Sequence, residues 1–371
     1  MGAGVYVVNL VRALDALREA DLHLLARRDD GERWAALAPG ATCHPAVPPA
    51  RPARLAWEQA RAAGLAARLG IEVWHGPHYT LPLRLRGPAV VTVHDLTFFD
   101  HPEWHERSKI VFFRSMTRAA VARADVIVAV SGATAERLEE LLEPEAPVVT
   151  IPHGVDHARF HPVRAGDPED LAVLRPLGVR PPYVAFVGTM EPRKAVPTLV
   201  EAFAQVAAGR PELRLVLAGR DGWGSEAARA AVEASGVATR VLRLRWVPDE
   251  ALPALLRQAA VVAYPSLQEG FGLPALEALS CGAALVTSAG SPMAEVAGEA
   301  ALAVPPGNAG ALAWALGRVL DDPATEARLR QGGPEAARAH TWERSARRHL
   351  DAYHLALKSE RRSPAPRGPG I

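Results

Sequence analysis

Two doubly wound α/β domains are the fold class this sequence predicts, on three observations. Short Val-rich runs alternate with helical patterns along almost the whole chain, the signature of parallel sheets covered by helices. At 371 residues the chain is too long for one ordinary core. The segment from Asp156 to Pro182, with several prolines and both signs of charge, reads as a linker between two halves.

In the first half the strand-like runs are "LHLLAR" at 22–27, "IEVWHG" at 71–76, "AVVTVHD" at 89–95, "DVIVAVS" at 125–131 and "VVTIPHG" at 148–154. Helical stretches at 4–19, 54–69, 104–123 and 132–142 lie between them. The chain opens "MGAGVYVVNLVRAL", a Gly-rich turn running straight into a helix. A doubly wound domain ordinarily has a strand before that turn, and losing a central strand would expose its neighbours' backbone edges. A start further upstream is therefore expected.

In the second half the strands are "YVAFVGT" at 183–189, "LRLVLAG" at 213–219, "VLRLRWV" at 241–247, "VVAYPS" at 261–266 and "ALVTSAG" at 284–290. Helical runs at 194–209, 225–236, 249–259, 274–281 and 308–339 separate them, and "HTWERSARRHLDAYHLAL" reads as a final helix. The expected divisions are a first domain at 1–160, a second at 161–340, a helix at 341–357 crossing back to the first, and a disordered Pro-, Gly- and Arg-rich tail at 358–371. Two such domains leave a cleft facing the carboxyl ends of both sheets, where these folds bind ligands.

Composition bounds the function. Hydrophobic content of 49% with 22% charged residues describes a globular chain, and a net charge of +1 gives no general attraction to nucleic acid. The two cysteines, Cys43 and Cys281, imply neither a disulfide framework nor a zinc site. No apolar run is long enough to span a membrane and no signal peptide is evident, so a cytoplasmic location is expected.

The chemistry concentrates in "SLQEGFGLPALEALSCG" at 266–282. Pro274 suits a first helical turn, so a helix begins near Leu273 and offers free N–H groups and a positive dipole end to an anion. Gly270 and Gly272 let backbone approach a ligand closely. Glu269 stays outside the helix and can accept hydrogen bonds from neutral hydroxyls. Glu277, one turn in, can hold a vicinal diol such as a ribose. For one Glu–Gly–Phe–Gly alone, a solvated loop and a helix cap are the commoner explanation. "GTMEPRK" at 188–194 shifts that balance, because it sets Glu191, Arg193 and Lys194 after a strand and before a helix. Two cations at a helix start are unfavourable unless an anion joins them, and a diphosphate is the anion they suit. "LAGRDGWG" at 217–224 adds a further strand-end glycine turn.

"EGFGLPALEAL", "GTMEPRK" and "LAGRDG" resemble the family-4 retaining glycosyltransferases of GT-B fold (glycosyltransferase group 1). The resemblance runs from Gly2 to about Leu357 and is most specific in the second half, where Glu269 and Glu277 match the family's E-x7-E motif. It implies that Arg193 and Lys194 bind the donor diphosphate, with Gly188 and Thr189 beside it. It also implies that Glu269 faces the donor sugar with the backbone of Gly270, Phe271, Gly272 and Leu273, and that Glu277 binds the ribose. His94, in "VVTVHDLTFFDHPEW", matches the family's active-site His, and Gly2 and Gly4 match its loop on the donor phosphate. "GPHYTLPL" at 76–83 and "VSGATAERL" at 130–138 look like its acceptor-domain strand ends. No cofactor and no metal are expected, since the two cations take a metal's place. Thr189 stands where many relatives have Arg, and Ala195 where Asn or Gly is common.

The resemblance thus implies a retaining hexosyltransferase working from a nucleoside-diphosphate sugar on a glycan or lipid-linked acceptor. The "GTMEPRK" context is most similar to mannosyltransferases of polysaccharide assembly. A GT-B epimerase or hydrolase of the nucleotide sugar, and a non-catalytic nucleotide-sugar binder, stand as alternatives. His75, His78, His94, His101 and His105 cluster in sequence, but no carboxylate–His spacing supports a metal site. The stretches 104–123 and 54–69 carry Arg107, Lys109, Arg114, Arg118, Arg123, Arg54, Arg61 and Arg68. Such stripes are ordinarily solvated helix faces. A peripheral contact with anionic lipid at the inner membrane surface stands beside that explanation.

Overall fold

The structure is a computed structural model that describes residues 2–359. Of the tail expected to be disordered, all but Lys358 and Ser359 lies outside the described residues. The chain divides into two compact units. Among the described residues, one comprises 2–96, 108–153 and 342–359; the other comprises 97–107 and 154–341.

The first unit holds a four-stranded parallel sheet in the order β3-β4-β5-β6, made of β3 (Trp74–Gly76), β4 (Ala89–Val93), β5 (Val126–Ala129) and β6 (Val148–Thr150). A separate parallel pair joins β1 (His23–Arg27) to β2 (Thr42–Val47). Strand β2 is absent from the sequence expectations, because "TCHPAV" contains a proline and no alternation; its proline is tolerated in a two-stranded pair that has only edges. Strands β4 and β5 are buried along their whole length, as continuous Val/Ile runs should be. The last helix, Trp342–Leu357, lays Ala352 and Ala356 on Val90, Val126, Val128 and Ile151.

The opening differs from expectation. Gly2 and Gly4 lie inside the helix Gly2–Leu17 rather than in a turn, and the helix buries Tyr6, Leu10 and Leu14 at four-residue spacing. That apolar stripe dictates helix from the outset.

The second unit holds a six-stranded parallel sheet in the order β12-β11-β10-β7-β8-β9. Its members are β7 (Tyr183–Val187), β8 (Arg214–Ala218), β9 (Val241–Leu244), β10 (Val261–Tyr264), β11 (Leu285–Ser288) and β12 (Ala301–Val304). Strand β12 was not foreseen from sequence. Two further expectations are corrected. The segment expected as a linker contains the helix Pro168–Leu174, capped by the Asp167 side chain on the N–H groups of Glu169 and Asp170. Asp170 is buried there and pairs with Arg257 and Gln258, which ties the segment into this unit. The single run expected at 308–339 breaks into Ala309–Asp321 and Pro323–Ala337, because Asp322 leaves helical geometry and caps the second helix through Ala324 N. Among the described residues no helix is long and apolar enough to cross a membrane.

Candidate active site

The strand order of the second unit decides where a site can form. From β7 the chain adds β8 and β9 on one side, then crosses back to place β10 on the other side of β7. The loops leaving the carboxyl ends of β7 and β10 therefore diverge at a topological switch point, the position where open parallel sheets bind ligands. The two motifs singled out in the sequence are these two loops. Leu267 N donates to Arg193 O at 2.7 Å, so their main chains are tied directly together.

The loop after β7 turns tightly. Residues Pro192–Lys194 form a single 3-10 turn, and Ala195 then adopts a left-handed conformation at φ 49°, ψ 38° before the helix Val196–Ala207. A left-handed residue favours Gly or Asn, which gives a physical reason for Ala195 being unusual there. The neighbouring loop presses close. A Cβ on Gly219, at φ +133°, would lie 2.0 Å from Gly188 O, and one on Gly222 would lie 2.7 Å from both Thr189 and Glu191 side-chain carbons. Only glycine fits at either place. The turn "LAGRDGWG", weak as a sequence signal, thus sets the shape of the loop bearing the cations.

Four charges meet at the switch point. Glu269 accepts from Arg193 Nη1 at 2.7 Å and from Lys194 Nζ, and Arg193 Nε donates to Glu191 Oε2 at 3.1 Å. The Glu269 side chain is 7% exposed. Burial by itself would push its pKa up, but the charges of Lys194 and Arg193 outweigh burial and hold it at about 2. Burial pushes the Lys194 ammonium down and Glu269 pulls it back up, leaving it below its ordinary value. The expectation for Glu269 was a carboxylate facing neutral hydroxyls; the structure adds that both expected phosphate ligands are its partners.

Gly272 stands at φ +100°, where a Cβ would lie 2.1 Å from Met293 Cγ, and the helix Leu273–Ser280 follows with Pro274 in its first turn. Phe271 and Leu273 are buried. Glu277 is half-buried, and burial pushes its carboxyl up to about 7, with Arg159 favouring and Asp249 opposing its charge. Tyr264, at the end of β10, interacts electrostatically with both Glu277 and Glu269, and burial raises its hydroxyl well above the ordinary range.

His94 belongs to the first unit, just past β4. Its Nε2 lies 2.8 Å from Pro77 O. A carbonyl can only accept, so Nε2 carries the proton and the neutral ring keeps Nδ1 as its acceptor. Burial lowers its pKa, against a partial opposing effect of that bond and of Asp95. Tyr6 meets the ring edge-on at 5.0 Å, with His78, Tyr79 and His153 at 5.6, 5.7 and 5.8 Å. Tyr79 holds a left-handed backbone at φ 62° and accepts from Asp95 N at 2.9 Å. Behind His94, Tyr6 Oη bonds Thr92 Oγ1 and His349 Nε2, each at 2.9 Å, and His75 bridges Thr92 to Tyr353.

Comparison with known proteins decides the family. The Glycosyl transferases group 1 family matches residues 175–336, and Glycosyltransferase Family 4 matches residues 1–159. The chain belongs to the group 1 glycosyltransferases. This glycosyltransferase is 32% identical over 289 residues to O-antigen chain mannosyltransferase B of Escherichia coli, covering 76% of this chain and 74% of that one. It is 34% identical over 256 residues to D-inositol 3-phosphate glycosyltransferase of Salinispora tropica, where it spans 65% of this chain and about half, 53%, of that one. The fold is GT-B. Anabaena HepE, solved in complex with UDP and glucose, superposes with a TM-score of 0.75 at 19% identity, over 95% of this chain and 96% of that one.

The structure gathers Gly188, Thr189, Arg193, Lys194, Gly270, Phe271, Gly272, Leu273, Glu269 and Glu277 in the second unit, on the loops after β7 and β10 and the helix that follows. His94, Gly2 and Gly4 belong to the first. A Cβ at Gly2 or Gly4 would meet nothing within 4 Å, so the helix itself does not require glycine there. Sequence reasoning missed Tyr6 and His349, which share no motif and become neighbours across 343 positions. It also passed over Tyr264, which reads as one more apolar residue of a strand.

Proposed function

We propose that this glycosyltransferase moves a hexose, mannose in the first instance, from a nucleoside-diphosphate donor to a glycan or lipid-linked acceptor, with retention of the anomeric configuration. The observation that supports this most is the pairing of Arg193 and Lys194 with Glu269 at the switch point of a donor-type sheet. In this reading the two cations hold the diphosphate and stabilise the charge that develops as it leaves, with no metal and no cofactor. The N-terminus of the helix Leu273–Ser280 adds N–H donors, and Glu277 accepts from the ribose diol. His94, neutral and protonated on Nε2, keeps an acceptor for a sugar hydroxyl. Acceptor attack and diphosphate departure share one face of the sugar, so no protein nucleophile is required. The mannosyltransferase relative supports the choice of hexose, and the neighbour solved with UDP supports a nucleotide donor.

The acceptor fits a membrane-linked glycan because the helix Arg107–Arg123 bears Val111, 69% exposed, between Arg107, Arg114 and Arg118. We assign that face to anionic lipid at the cytoplasmic side. The test is turnover of GDP-mannose, UDP-glucose and ADP-glucose with a lipid-linked glycan extract, with and without EDTA. Acceptor-dependent nucleotide release that survives EDTA and yields an α-linked product is expected. Release that ignores the acceptor would point to the hydrolase or epimerase alternative.

A further inference from the structure

We propose that Glu269 is a specificity-determining residue, an internal counter-anion that yields the two phosphate-binding cations only to a donor whose sugar can satisfy it in turn. The inference rests on the donor reading given above. Glu269 uses both oxygens on cations, one on Arg193 Nη1 at 2.7 Å and the other on Lys194 Nζ, while Glu191 takes Arg193 Nε. Two cations are thus already balanced by two carboxylates of the chain itself. A diphosphate brings two or more further negative charges to the same nitrogens, and like charges at such separations repel strongly where burial excludes water. Glu191, whose side chain is 33% exposed, can turn toward solvent; Glu269, at 7%, has no such exit.

Displaced from its cations, a carboxylate this buried needs donors, and leaving it without them is the costly case for any buried charge. The hydroxyls of a hexose attached to the diphosphate supply them. A nucleoside diphosphate has no hexose there, its ribose hydroxyls being taken by Glu277 in the same reading, and its terminal phosphate carries more charge than the same phosphate esterified to a sugar. Glu269 therefore weakens binding of the free nucleoside diphosphate relative to the intact nucleotide sugar. That bias favours loading of substrate and departure of the leaving group once the sugar has been transferred.

Calorimetric titration of GDP against GDP-mannose, with UDP against UDP-glucose in parallel, on wild type and Glu269→Gln tests this. The expected result is that the variant shifts the affinity ratio toward the nucleoside diphosphate by at least about tenfold. An unchanged ratio, or one moved toward the sugar nucleotide, overturns the inference while leaving the donor reading intact. If neither pair binds folded wild type, the donor reading and the inference fall together. Should Glu269→Gln not fold, Glu269→Asp draws the same charge back by one methylene; a smaller shift of the same sign is expected, and no shift overturns the inference.

Discussion

Ala195 holds a left-handed backbone directly behind the two cations. A Cβ in that region costs about 1–2 kcal/mol, while glycine adds roughly 0.5–1 kcal/mol of unfolded-state entropy. Ala195→Gly is therefore expected to stabilise the protein by about 0.5–1 kcal/mol in chemical denaturation, with the cation turn unchanged. Glu277 offers a pH-dependent test at the same scale. Its carboxyl is pushed from an ordinary 4.5 up to about 7 by burial, so the folded chain keeps a proton that the unfolded chain releases across that window. Stability falls as pH rises from about 4.5 to about 7, and the full cost applies above 7. With the side chain half-buried we expect Glu277→Gln to melt a few degrees above wild type at pH 8, on the order of 1–2 kcal/mol, and level with it at pH 4. In the opposite sense, if Glu277 binds the ribose as proposed, donor affinity of wild type should rise between pH 6 and 8 as its carboxylate ionises, and the Gln variant should lose that slope.

At the scale of elements, the sequence showed which runs are strands and helices but not what they share. Periodicity located ten of the strands because each lies in a Val-, Leu- or Ile-bearing run; β2 escaped because a proline interrupts it, and β12 because half of its "ALAV" is alanine, which is depleted in strands. The helix Trp342–Leu357 was legible as an amphipathic stretch, whereas the polar network it closes was not. His349 and Tyr353 reach Tyr6, Thr92 and His75 only through the tertiary fold. That network predicts acid sensitivity. Burial lowers His349 to about 4, with Ser345 O opposing and Arg348 and His94 adding to the effect. Burial also lowers His75, His153 and His94, and His78 to about 4. For bases held neutral in the fold, the unfolded chain binds more protons below pH 6.5. Stability is then lost as pH falls from about 6.5 toward 4. His349→Asn should flatten that limb by about one proton, on the order of 2–3 kcal/mol between pH 6.5 and 4, in pH-dependent denaturation. The two strand ends beside the proposed donor site give a steric test. Gly219→Ala sets a methyl 2.0 Å from a backbone oxygen, so a loss of 3 kcal/mol or more and loss of nucleotide binding are expected together.

For the whole molecule, the family and the two-unit architecture were readable because the "GTMEPRK" and "EGFGLPALEAL" loops keep their types and spacing even where Ala195 and Thr189 depart from the usual pattern. The charge balance at the switch point was not readable. Glu269 and Lys194 are 75 positions apart, and only the crossover between β9 and β10 makes their strands neighbours of one centre. The central claim is that those charges hold a sugar donor's diphosphate. The most direct measurement is titration of GDP-mannose, UDP-glucose and ADP-glucose into wild type and into Lys194→Ala by calorimetry. The account predicts that one donor binds wild type and that the variant, folded, weakens it by about a hundredfold, the loss of one buried charge-assisted contact. Equal affinity in the two proteins, or no affinity of folded wild type for any donor, would contradict it.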